Sequence, residues 1–224
     1  MKKVATSVLL LAGLTVASTA LAVDLHSTKG TIANQPSLVF KTTATFACDD
    51  GNATNGYITY DTDLFGNSFN FPPNSRLTSV TFAHYGFGTP GPYNYDLELW
   101  DQASCTVITA VNNLVAADAG GSPQVELVSL CLQSIVVSGN VLVMIDSNTC
   151  PAGPLDCYPV LLFDDQSGQA CPWYIDMTAG FPCFNINNVF GPSFAHPFLL
   201  RVSTDQCPVP VKSGSWGAVK QIYR

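Results

Sequence analysis

The stretch YDLELWD, residues 95–101, decides how this chain is read. Tyr95, Leu97 and Leu99 fall on one side of an extended backbone, Asp96 and Glu98 on the other, which is the period of two of a half-buried antiparallel strand. The same pattern recurs outward in both directions. RLTSVTFAHY (76–85) sets Val80, Phe82 and His84 on one face and Ser79 and Thr81 on the other. NVLVMIDS (140–147) is apolar on both faces through Ile145, as a central strand should be. SLVFKTTATFAC (37–48), CTVITAV (105–111), QVELVSLCL (124–132), YPVLLFDD (158–165), PWYIDM (172–177) and HPFLLRVSTD (196–205) read as further strands. Turn clusters such as DDGNATNG (49–56) and DAGGSP (118–123) separate them. Roughly nine to eleven short strands punctuated in this way predict an all-β antiparallel sandwich, jelly-roll-like in character.

Composition agrees. The 224 residues include 17 Gly and 15 Pro, and Glu98 and Glu126 are the only glutamates among 16 acidic residues. Asp favours turns and disfavours helix interiors. A chain of this length suffices for one sizeable sandwich core. The net charge of −7 offers no basic footprint, which excludes nucleic acid as a partner.

The N-terminus carries the three regions of a secretory signal peptide: Lys2 and Lys3, the apolar run VLLLAGLTVA (8–17), and Ala20 and Ala22 in an A-x-A arrangement. The expected organisation is a signal peptide at 1–22, a β-sandwich domain at 23–207 and a proline-flanked tail at 208–224. No later run is long and apolar enough for a transmembrane helix. All eight cysteines follow the signal: Cys48, Cys105, Cys131, Cys150, Cys157, Cys171, Cys183 and Cys207. An even count in that context predicts disulfides formed in an oxidising compartment. Spacing disfavours zinc, whose cysteine pairs lie two to four residues apart. Of about 105 pairings, locality favours Cys150–Cys157, Cys171–Cys183, Cys105–Cys131 and Cys48–Cys207.

The succession of Leu97 to Asp101, Ser138 to Ile145 and Asp164 to Tyr174 resembles β-sandwich modules in secreted proteins of several Gram-negative lineages. The resemblance implies an extracellular domain and carries over no active site. The ending SWGAVKQIYR (215–224) resembles short C-terminal tails of surface-targeted proteins in some Gram-negative phyla. Pro208 and Pro210 block further strand pairing. Ser215 can then cap a short helix in which Trp216, Val219 and Tyr223 share one stripe, with Lys220 and Arg224 toward its C-terminus. Such a tail suits recognition by export machinery or docking on a neighbour.

Three further sets carry candidate chemistry. Asp50, Asn52, Asp61 and Asp63 offer oxygen ligands near one turn, a pattern that suits Ca²⁺ although EF-hand spacing fails. Tyr93, Trp173, Tyr174 and Phe181 lie near turns, where aromatics can stack on sugars. His26, His84 and His196 neighbour no nucleophile motif, so no catalytic residues are assigned and the chain is expected not to be an enzyme. No cofactor beyond Ca²⁺ is expected. The resulting expectation is a secreted or cell-surface structural or adhesive protein of a bacterium, self-assembling or bound to other surface proteins. The alternatives are a carbohydrate-binding module and, behind it, a secreted hydrolase.

Overall fold

The computed structural model describes residues 46–57, 60–119, 122–153 and 156–204. The signal segment, Cys207 and the tail residues Trp216, Lys220, Tyr223 and Arg224 lie outside them. The strands are β1 (Ala53–Gly56), β2 (Asp63–Arg76), β3 (Ser79–Tyr85), β4 (Tyr93–Asp101), β5 (Thr106–Ala116), β6 (Gln124–Ser129), β7 (Val136–Ser147), β8 (Val160–Asp164), β9 (Pro172–Asp176), β10 (Cys183–Asn185) and β11 (Leu200–Ser203). One short helix, α1 (Ile186–Phe190), is capped by the Asn185 side chain.

All named pairings are antiparallel, and the strands form two sheets. The six-stranded sheet runs β10-β9-β2-β7-β4-β5. In the five-stranded sheet β6 takes one side of β3; β11 and β8 share its other side, and β1 pairs with β8. The chain is thus an all-β sandwich, as the alternation predicts.

Alternation explains the layers. Tyr95, Leu97 and Leu99 of β4, Val141, Val143 and Ile145 of β7, Phe65, Phe69 and Phe71 of β2, and Val80 and Phe82 of β3 meet in the central core. Each large side chain buried there contributes roughly 1.5–3 kcal/mol. β7 is central, and its other face is also apolar: Leu142 and Met144 join Leu64, Trp100, Ile175 and Trp173 in a second cluster. One position shows how tightly β2 and β7 approach. A Cβ on Gly66 would lie 1.9 Å from the Val143 carbonyl oxygen, so only glycine fits.

A buried amide joins the two sheets. Asn67 of β2 is fully buried; its Nδ2 donates to the Phe198 carbonyl at 2.8 Å and its Oδ1 accepts the Phe198 N–H at 3.1 Å. The Ser147 hydroxyl likewise donates to the Pro159 carbonyl at 2.7 Å.

The disulfides agree with locality in one case only. Cys150–Cys157 closes the expected short loop. The expected Cys105–Cys131 and Cys171–Cys183 pairs are replaced by Cys105–Cys183, separated by 78 residues. The hydrogen-bonding order puts β5 and β10 at opposite edges of their sheet, yet both cysteines belong to the second cluster on its outer face. Cys131 is disulfide-bonded as well. Cys48 and Cys171 are thiols whose side chains touch, so the expected Cys48–Cys207 pairing gives way to a Cys48/Cys171 neighbourhood.

Candidate functional site

β5 is an edge strand of unusual character. Among the described residues it pairs with β4 alone; it runs for 11 residues and contains neither a charged residue nor a proline. Val107, Ile108 and Val115 are exposed along it. Natural edges are usually guarded by charge, especially lysine, by proline, by bulges or by inward-pointing charged groups. Here β5 has bulges only. Its register slips against β4 between Tyr95 and Leu97 and again between Leu99 and Trp100. At the first slip Asn113 has φ 59° and donates its N–H to Asp96 Oδ1 at 2.6 Å.

β6, the neighbouring edge in sequence, uses the inward-charge device. Glu126 lies opposite Phe82 and turns its carboxylate to His84 Nε2 at 3.3 Å and to the Ala117 N–H at 2.7 Å. The hydrogen bond to His84 holds the Glu126 carboxyl below its usual range. Leu127, Leu132 and Val136 are also exposed. Among the described residues the only basic ones are Arg76 and Arg201. Arg76 donates to the Cys131 carbonyl, and Arg201 is engaged with Asp49. Among the described residues, then, no lysine lies at either edge.

The acidic groups assemble differently from the sequence expectation. β1–β8 pairing brings Asp50 to Asp164 and Asp165, with carboxylate oxygens within 4.8 Å of one another. Asp164 is buried; its Oδ2 accepts the Asp50 N–H at 2.7 Å and its Oδ1 the Gln166 N–H at 2.9 Å. Desolvation pushes Asp164 up to about 6, and its hydrogen bond to Asp50 holds the exposed Asp50 carboxyl low. Asn52 belongs to an Asx turn, giving its N–H to Asp50 Oδ1. Asp61 stands exposed, and Asp63 is buried, accepting from the Tyr174 hydroxyl at 2.9 Å. The set Asp50, Asn52, Asp61 and Asp63 is therefore not one ligand shell.

A second group of carboxylates lies on the outer face of the six-stranded sheet. Asp146 sits directly opposite Asp96, with Glu98 nearby. Trp100 donates its indole N–H to Glu98 Oε2 at 2.7 Å. Burial, then the charges of Glu98, Asp96, Asp61 and Asp63, pushes Asp146 up to about 7. Burial also raises Glu98, so this strand face is less solvent-like than its alternation suggests.

The aromatic set does not converge. Tyr93 is 0% exposed, stacks on Tyr158 and donates to the Thr89 carbonyl. Tyr174 is 3% exposed between Phe65 and Phe184. Both fill the core and cannot stack on a sugar. Trp173 packs against the outer cluster, and only Phe181 is strongly exposed, at 55%. Tyr93 shares its face with Tyr95, so the alternation itself signals its burial. His84 is buried beside Phe82 and Tyr93, and His196 stacks on Phe163. No helix among the described residues is long and apolar enough to cross a membrane.

No family model, curated protein or solved structure matches the chain.

Proposed function

We propose that this chain is a secreted or cell-surface structural protein that associates with copies of itself through β5. The observation that carries the reading is the 11-residue edge strand without charge or proline. An unpaired strand edge offers a row of N–H and C=O groups, and a second copy supplies the complementary row. Two β5 strands paired antiparallel about a two-fold axis would satisfy both edges with one interface. The bulges limit how much of the strand pairs, which favours a closed dimer over indefinite growth. The disulfides are consistent with an extracellular location. Export and surface retention remain assigned to the signal segment and to the tail residues Trp216, Lys220, Tyr223 and Arg224.

The test is sedimentation of the purified mature chain over a broad concentration range, with glycan-array binding alongside. Concentration-dependent association without glycan binding is the expected result. A monomer at every concentration that binds a glycan would replace this reading by the carbohydrate-binding one. Deleting residues 213–224 should abolish surface retention while leaving the disulfides unchanged.

A further inference from the structure

We propose that Cys48 and Cys171 close into an exchangeable disulfide that staples the two sheets together beside β1. The two side chains are in hydrogen-bonding contact, and the segments that carry them flank different sheets, Cys48 next to β1 and Cys171 next to β9. Cys48 follows Phe46, whose N–H and carbonyl both pair with Val202 of β11, and precedes β1. Cys171 immediately precedes β9, and its carbonyl accepts the Ser68 N–H of β2 at 2.8 Å. The segment carrying Cys48 is otherwise held by noncovalent contacts: the Phe46 bridge, Asp49 with Arg201, the Asp50 N–H on Asp164, and β1 on β8.

Burial separates this pair from Cys105, Cys157 and Cys183; Cys131 and Cys150 are partly exposed as well but are already disulfide-bonded. Cys48 and Cys171 are both partly exposed, whereas Cys105, Cys183 and Cys157 are buried. Thiol–disulfide exchange needs an accessible thiolate. The Cys171 hydrogen bond holds the Cys48 thiol low and, reciprocally, raises Cys171, so Cys48 is the group that ionises first. Its thiolate attacks one sulfur of a low-molecular-weight disulfide, forming a mixed disulfide and expelling one small thiolate. Cys171 then loses its proton and attacks the Cys48 sulfur, expelling the second. The two cysteines lose two electrons and two protons, and the small disulfide becomes two thiols.

Oxidised glutathione is the probe. The chain is incubated with it, alkylated under native conditions and digested with pepsin, since no lysine or arginine lies between Arg76 and Arg201. The expected map joins the peptides containing Cys48 and Cys171. Limited native reduction followed by alkylation should then label these two at least tenfold faster than Cys105 or Cys183. A Cys48→Ser/Cys171→Ser variant should lose the fast label and keep Cys105–Cys183. If that variant fails to fold, the wild-type map and labelling rates still decide. Cys48 joined elsewhere, both thiols still alkylated after oxidation, or no rate difference would overturn the proposal.

Discussion

Asn67 is a polar side chain in an apolar layer, and its value lies in what it satisfies. Its amide takes the Phe198 N–H and gives a hydrogen bond to the Phe198 carbonyl, across the sandwich. Asn67→Leu keeps the volume but leaves that buried N–H without its partner, at a cost of about 1–3 kcal/mol. Urea unfolding should show a lower midpoint with an unchanged slope; an unchanged midpoint would show that water or a neighbour replaces the amide. Asp146 makes the opposite kind of statement. Its carboxyl has the usual value of 3.8 when unfolded and is pushed up to about 7 when folded. Between those values the folded chain holds a proton that the unfolded chain has released, so stability falls as pH rises through that window. Asp164, pushed up to about 6, adds the same sign over the lower part of the window. Glu126, held low by His84, acts oppositely and loses its contribution as pH falls. Thermal unfolding should therefore give a lower Tm at pH 8 than at pH 5. Asp146→Asn should flatten that difference and raise the Tm at pH 8 by a few degrees, roughly 2–4 °C. A steeper pH dependence in the variant would contradict the burial and repulsion assigned here.

Single strands announced themselves wherever alternation survived. β4 and β7 follow directly from YDLELWD and NVLVMIDS, and their inward residues meet as the period of two requires. β5 was less legible. Its first half reads from CTVITAV, but the strand continues through Asn112 and Asn113 to Ala116, because a bulge absorbs two residues that look like a turn. Its position at an edge follows from sheet order, which no local pattern encodes. The consequence belongs to the whole strand. One lysine at Ile108 would put a charge where the outer backbone edge meets solvent and would disfavour pairing with another chain. Ile108 is exposed, so Ile108→Lys should leave thermal stability nearly unchanged while abolishing concentration-dependent association in sedimentation. If association persists, the contact lies on another surface; loss of folding would instead mean that β5 needs its apolar side chains for β4.

The cysteines test the fold at the scale of the entire chain. Locality found Cys150–Cys157 because a seven-residue separation needs little information beyond the turn. It failed for Cys105, whose partner is brought near only when β10, β9, β2, β7 and β4 have assembled in order. The acidic cluster was hidden for the same reason: Asp50 meets Asp164 through β1–β8 pairing over 114 residues. Loop length then ranks the two disulfides. In the chain-entropy account, closing 78 residues restricts the unfolded state by about 4.5 kcal/mol, against about 2.4 kcal/mol for the short loop. Packing reinforces that order, because Cys105 and Cys183 also fill the outer cluster with Leu142 and Met144. Paired alanine replacements avoid leaving a lone thiol. Cys105→Ala/Cys183→Ala should lose about twice the stability lost by Cys150→Ala/Cys157→Ala in reversible denaturant unfolding. Equal losses would mean that the unfolded chain already keeps β5 and β10 close, so that the long loop restricts it no more than the short one does.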